Sequence, residues 1–220
     1  MSTKSTPVIV AYARTPFARA SKFDGNDNAV PGREGAYHNV HPLDLAGRTI
    51  NTVLDQSGMD PRLIHDVLLG TAFPEFKQGL NAGRLVSLHP DVKLTIASAG
   101  KTTNRFCGSS MDTIHDAAAR IAFGTGHSYI STGMEMMSMN PKMSGLNPDL
   151  HKKIKDGNAM AFMDMGVTAE NLARKYNISR ELQDQFAVAS HMKALSAYEN
   201  GFIQGELVSM EPFSGLDYDN

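Results

Sequence analysis

Short apolar runs alternate with helical patterns along the first 133 residues, and that alternation limits the chain to very few architectures. Val8-Ile9-Val10-Ala11-Tyr12 is a continuous apolar run, as a strand buried on both faces would show. Leu43, Leu45, Ala46, Ile50, Val53 and Leu54 then recur at helical spacing, with Pro42 in the first turn and Gly58 as the stop. Asp66 to Ala72 predicts a second strand and Asn81 to Leu88 a short helix. A β-forming run from Lys101 ends at Phe106. A helix follows over Ser109 to Phe123, its predicted inner face Met111, Ile114, His115, Ala118, Ile121 and Ala122. His127 to Thr132 predicts a last strand. The β-α-β-α-β-α-β order argues for a layered α/β sheet.

Within that order the only cysteine, Cys107, stands in Asn104-Arg105-Phe106-Cys107-Gly108-Ser109-Ser110-Met111, where a strand turns into a helix. Free N–H groups and the helix dipole favour an anion at such a point. Thiolate is the nucleophilic form of cysteine, so the setting suits acyl chemistry. The plainer reading is a small buried hydrophobe, the common fate of a lone cysteine. Gly108 beside the thiol and the carboxyl-end position in an α/β sheet favour the functional one.

Composition narrows the function classes. The net charge is -2 and the pI about 6.4, so no basic field invites nucleic acid. A single cysteine excludes an internal disulfide and fits a reducing compartment. No apolar run is long enough for a membrane span, and Met1 to Pro7 has no signal-peptide core, so a cytoplasmic protein is expected. The eight histidines show no metal-ligand spacing; residues 21–39, rich in Gly, Asn and charge, read as surface loop, and the pair His38-x-x-His41 as solvated loop without further ligands. No metal is expected.

After Gly133 the pattern changes. Met134 to Met143 carries five methionines, either an adaptable contact surface or gap-filling core. Lys152, Lys153 and Lys155 form a basic cluster that could meet phosphates or stand as a solvated face. A helix is predicted over Val167 to Tyr176. Another is predicted from the N-cap Ser179 to Glu199, with Leu182, Phe186, Ala189, Met192 or Lys193, and Leu195 on its apolar side. The tail Phe213 to Asn220 reads as loop.

Taken together, these segments resemble the thiolase family. Asn104 to Met111 is similar to its nucleophile motif, and Gly133-Met134-Glu135-Met136-Met137-Ser138 to a second. Met165-Gly166-Val167-Thr168-Ala169-Glu170-Asn171-Leu172-Ala173, continued by Ile178 to Glu181, Gln183 to Ala187 and Ser190-His191, resembles its loop-domain motif. Arg14-Thr15-Pro16-Phe17 also fits. The wording is most similar to the degradative 3-ketoacyl-CoA thiolases. The resemblance implies a thiolase-like fold, with 1–133 as the N-terminal α/β core half and 134–220 as an inserted helical loop domain. It implies acyl transfer between CoA thioesters through an acyl-cysteine intermediate, either thiolysis of a 3-ketoacyl-CoA or the reverse condensation. Cys107 would be the nucleophile and lend its backbone N–H to the oxyanion hole, and Met165 would touch substrate. Coenzyme A and acyl-CoA would be substrates, with no bound cofactor. A homo-oligomer such as a homodimer, or a separate C-terminal thiolase half, would be the protein partner, in fatty acid metabolism.

Departures qualify the expectation. Family members draw an activating His, an oxyanion-hole Asn and a second Cys from a further half, and no such motif occurs in these residues. Asp164 stands where some members carry a substrate-lining His. Three explanations stay open: a fragment of a longer enzyme, one half of a split enzyme, or a non-catalytic interaction module on the same scaffold. A polyketide- or fatty-acid-type condensing enzyme shares the cysteine elbow, but the 165–187 motif argues against it.

Overall fold

The computed structural model of the chain describes residues 5–24, 28–139 and 151–208. By contact the chain divides into two compact units, Met1–Ser144 with Glu206–Asn220, and Gly145–Gly205.

The first unit is built on a parallel sheet of β1 (Asp66–Gly70), β2 (Ala99–Thr103) and β3 (Tyr129–Gly133), in the order β2-β1-β3. The register runs Asp66 against Ala99 and Tyr129, and Gly70 against Thr103 and Gly133, so all three strands end level. β1 is central and wholly buried, with Val67, Leu68 and Leu69 inaccessible to solvent. Alternation along the strand sends Val67 and Leu69 to one face. There they join Ile130 of β3, Ala46, Ile50 and Leu54 of helix α1 (Pro42–Ser57), and Ala82 and Val86 of helix α2 (Ala82–Ser87). At about 1.5–3 kcal/mol per fully buried aliphatic side chain, this cluster supplies most of the unit's hydrophobic stabilisation. Both helices carry the expected punctuation. His41 caps α1 by accepting the Leu43 N–H on Nδ1 (3.3 Å), Pro42 opens it, and Gly58 ends it in the left-handed region at φ 62°. Asn81 caps α2 through the Arg84 N–H. His41 thus has a structural task within the stretch read as solvated loop.

Helix α3 (Ser109–Phe123) covers the opposite face, lying against β1 and β3. Its inner stripe is not the apolar set predicted from periodicity: Met111 and Ile114 are 59% and 44% exposed. The side toward the sheet is Ser109, Thr113, Asp116 and Arg120, at helical spacing i, i+4, i+7 and i+11. Ser109 and Thr113 are buried, and Thr113 Oγ1 shares a 2.6 Å hydrogen bond with Ser131 Oγ of β3. Further along, Arg120 bridges Asp66 (2.9 Å) and Asp116 (3.0 Å), and Asp116 also takes Lys101 Nζ at 2.5 Å. The reason is steric. A Cβ on Gly70 would lie 2.4 Å from the Ser109 carbonyl carbon and 2.5 Å from the Ser110 nitrogen, and one on Gly133 would lie 2.7 Å from Ser110 Cβ. The helix start sits directly on strand backbone, where large apolar side chains have no room.

The predicted strand Val8–Tyr12 does not form. It makes no ladder, and Val8, Ile9, Val10 and Tyr12 are 63–73% exposed. A strand exists only through its partner's hydrogen bonds, and among the described residues no strand pairs with this run. Ordered pairing starts only at Arg14, which donates to Glu206 O (2.8 Å), accepts from Val208 N–H (2.9 Å) and pairs with the Glu206 carboxylate (2.7 Å). The stretch 21–39, expected as surface loop, is tied down in part: Ser21 N–H donates to Ser138 Oγ (3.0 Å), and Tyr37 packs with Val40, Leu45 and Met136. Of the five methionines after Gly133, Met134 and Met136 are core residues while Met137 is 43% exposed. Met143 and the predicted tail Phe213–Asn220 lie outside the described residues.

The second unit holds helices α4 (Lys152–Gly157), α5 (Met165–Tyr176) and α6 (Arg180–Glu199). Asp164 caps α5 by accepting the Gly166 N–H (2.7 Å), and Ser179 caps α6 through the Leu182 N–H (3.3 Å). The expected apolar side of α6 is not buried: Leu182, Phe186, Met192 and Leu195 are 50–77% exposed. Val188 and Tyr198 add apolar surface elsewhere on the helix, so no single stripe collects the large side chains. Lys152 of the basic cluster pairs with Asp156. No helix among the described residues is long and apolar enough to cross a membrane.

Two expectations follow. Gly70→Ala should destabilise the chain by about 1–3 kcal/mol, read as a lower urea midpoint, because the new methyl meets helix backbone rather than a flexible side chain. The second concerns acid. Burial pushes the Asp116 carboxyl up, but the hydrogen bonds and charges of Lys101 and Arg120 outweigh it and hold the group below the ordinary carboxylate range. The unfolded chain, with a value of about 3.9, therefore binds this proton more readily than the folded one. Its stabilisation is present above that value and is lost as pH falls through the lower folded value. Asp116→Asn should unfold at lower urea than the parent at pH 7, and the two curves should converge as pH drops below the carboxylate range.

Candidate active site

Everything around Cys107 lies at the carboxyl ends of the three strands. β2 ends at Thr103, four residues form a tight elbow, and α3 begins at Ser109 with Gly108 as its cap residue. Phe106, next to the thiol, adopts a left-handed backbone conformation at φ 47°. For a bulky residue that costs on the order of 1–3 kcal/mol and persists only when neighbours over-determine it. Here they do. Asn104 Oδ1 accepts the Phe106 N–H (2.9 Å). Ser109 Oγ accepts the Arg105 N–H (2.8 Å) and donates to the Phe106 carbonyl (2.6 Å). The Gly108 and Ser109 N–H groups close back on the Arg105 and Phe106 carbonyls (3.1 and 3.0 Å).

The elbow leaves Cys107 solvent-exposed with a free thiol. Cys107 is thus not part of the core formed by the described residues: it sits before a helix cap on a turn past the end of the sheet. Among the described residues nothing accepts the Cys107 backbone N–H, and no histidine or other base is hydrogen-bonded to its sulfur. The local chemistry is thus an accessible sulfur beside an unused N–H donor at the start of a fifteen-residue helix.

Two other strand-end loops hold the elbow. Asn104 Nδ2 donates to the Ala72 carbonyl just past β1 (3.1 Å), and the Phe73 ring meets Phe106 edge-on at 6.2 Å. The loop after β3 contributes Glu135. Its carboxylate accepts the Ala72 N–H (2.7 Å), Gln78 Nε2 (2.7 Å) and Thr71 Oγ1 (3.3 Å). Gln78, 2% exposed, also donates to the Phe73 carbonyl (3.0 Å) and accepts the Met136 N–H. The motifs around Asn104 and Glu135 were legible in the sequence, but no role could be assigned to either residue. The one available signal was position: Asn104 directly follows one strand and Glu135 lies two residues past another. Gln78 carried no signal, being an isolated polar residue in a Phe- and Gly-containing loop.

Met165 belongs to the second unit, where it opens α5 and is 71% exposed. Asp164, which departs from the pattern of some family members, is occupied as the cap of that helix. Among the described residues no group of three or more His, Cys, Asp or Glu side chains could hold a metal ion.

Comparison with known proteins agrees with this layout. The family described as "Thiolase, N-terminal domain" matches residues 8–216. A 3-ketoacyl-CoA thiolase of Pseudoalteromonas translucida (strain TAC 125) is 35% identical over 208 residues, covering 94% of this chain and 49% of that protein. One of Shewanella denitrificans (strain OS217 / ATCC BAA-1090 / DSM 15013) is 37% identical over 205 residues, covering 93% and 49%. The crystal structure of the Bacillus anthracis acetyl-CoA acetyltransferase superposes with a TM-score of 0.75 at 28% identity, over 94% of this chain and 51% of that one. The chain thus spans about half the length of the relatives it matches. With the fold shared and the match running from the first apolar segment to beyond α6, the chain belongs to the thiolase family and carries its N-terminal domain.

Proposed function

We propose that this chain is the nucleophile-bearing half of a thiolase, acting in acyl transfer between CoA thioesters. The observation that carries the reading is the exposed Cys107 on a braced elbow, with its own backbone N–H unused at the start of α3. In thiolysis the Cys107 sulfur attacks the 3-keto carbon of a 3-ketoacyl-CoA. The bond between C2 and C3 breaks, its electron pair leaves on the acetyl-CoA enolate, and a proton from a general acid completes acetyl-CoA. The acyl group stays on sulfur until the thiolate of a second CoA attacks it and releases Cys107. The keto oxygen gains negative charge in both acyl-transfer steps, and the Cys107 N–H supplies one donor toward it. Condensation is the same sequence reversed.

The base and the proton-moving acid come from a second half, as a continuation of this polypeptide or a separate one. The large apolar side chains exposed on the first unit support such a companion. The helical second unit serves as the loop domain, with Met165 as a substrate-binding residue. Coenzyme A and its thioesters are substrates and no bound cofactor takes part. The assembly works in the cytoplasm as a homodimer or larger homo-oligomer, in keeping with a single cysteine kept reduced.

The test is direct. Incubating the chain, alone and with a thiolase C-terminal half, with a 3-ketoacyl-CoA should give a mass increase of one acyl group mapped to Cys107, and Cys107→Ser should abolish it. An assembly that turns over 3-ketoacyl-CoA without ever acylating Cys107 would sink the catalytic reading. Retained partner or CoA binding in Cys107→Ser, with no turnover by the parent, would favour the non-catalytic module.

A further inference from the structure

We infer that Glu135 is a positioning residue for Cys107, acting across the sheet through Ala72 and Asn104. The inference rests on Cys107 as the reacting group of the proposed function. The path is continuous. Glu135, two residues beyond β3, accepts the Ala72 N–H (2.7 Å). The Ala72 carbonyl, at the other end of the same residue's backbone, accepts Asn104 Nδ2 (3.1 Å). The same Asn104 amide, through Oδ1, holds the Phe106 N–H (2.9 Å) and with it the left-handed backbone on which the cysteine is mounted.

The bracing is reinforced on both sides. Gln78 ties Glu135 to the Phe73 carbonyl and the Met136 N–H, and the Phe73 ring stands against Phe106. Ala72 contributes only backbone, so nothing at that position can replace the carboxylate that fixes it. Glu135 itself is exposed, yet both of its oxygens are engaged by the neighbouring loop. A glutamate serving only solubility would spread into solvent; this one gathers three donors that all belong to the loop after β1. A charged acceptor suits the task because hydrogen bonds to an ionised carboxylate are roughly twice as strong as neutral ones.

Alkylation of the sole cysteine by iodoacetamide tests the inference in the full 220-residue chain without any CoA thioester. The rate for the folded chain at pH 7 is divided by that for the same chain in urea, which cancels the intrinsic reactivity of the thiol. The parent ratio should exceed one. Glu135→Ala should lower it about threefold or more, within the range of couplings inside one hydrogen-bond network. Glu135→Gln, which keeps an oxygen for the Ala72 N–H, should recover the parent ratio to within about twofold. Asn104→Ser keeps a short acceptor for the Phe106 N–H but loses the reach to Ala72, so it should mimic Glu135→Ala, and the double variant should be no slower than the slower single one. A parent ratio of one, a parent-like ratio in Asn104→Ser, or additive losses in the double variant would overturn the inference. Should Glu135→Ala fail to fold, as judged by circular dichroism, Glu135→Gln and Asn104→Ser decide. Failure of acyl transfer from a CoA thioester would overturn the proposed function and leave this result standing.

Discussion

The close seating of α3 on the backbone of β1 and β3 is the constraint from which the rest of the first unit follows. Gly70 and Gly133 end their strands level with each other, and the absence of a side chain at both lets Ser109 and Ser110 rest on the sheet. Because the helix start is held there, the residues joining it to β2 have only a short span to cross. The chain meets that span with a left-handed Phe106 and a cysteine projected outward. A wider gap would permit a relaxed loop and would remove both the exposed sulfur and the unused N–H beside it.

The same seating explains the polar character of the α3 interface. Helices usually meet sheets through branched aliphatic side chains. This one meets β1 and β3 through Ser109 and Thr113, and through charges near its far end. Arg120, Asp116, Asp66 and Lys101 form one network of alternating sign, so no charge in it lacks an opposite neighbour. One oxygen of Asp66 still finds no partner, a local cost that the Arg120 contact to the other oxygen offsets. Stabilisation of the sheet is consequently lopsided, aliphatic on the α1 and α2 side and polar on the α3 side.

Much of this was legible in the sequence where local chemistry decides it. The bounds of α3 and α6 follow from Gly124 and Ser179, and the start and stop of α1 from Pro42 and Gly58. Cys107 was legible as an elbow residue because a β-run, a glycine and a helical run meet there. What failed was orientation and pairing. Periodicity named Met111 and Ile114 as part of the inner face of α3 since they are apolar, and could not register that glycines at the ends of β1 and β3 seat Ser109 and Ser110 against the sheet instead. Val8–Tyr12 has the composition of a buried strand, yet composition does not supply a neighbour. The Glu135 bracing was invisible for a related reason: its contacts run to Ala72 backbone and to Gln78, which lies 57 residues away in sequence.

These two failures point the same way. Met111, Ile114 and Phe123 on α3, and Val8, Ile9, Val10 and Tyr12 before the first helix, carry the hydrophobicity of core residues and are 44–88% exposed. At about 1.5–3 kcal/mol for taking such a side chain from full exposure to full burial, the burial still open to them is together comparable to the net stability of a domain. A sequence does not place that many large apolar groups at strand and helix spacing for contact with water. The spacing is correct for a core, and the side chains that would complete that core are not among the described residues. The pattern is what a sheet-and-helix layer shows when a second body is meant to close over it. On the proposed function, the exposed apolar surface and the thiol without a neighbouring base have one explanation, a second half that supplies both the covering side chains and the base.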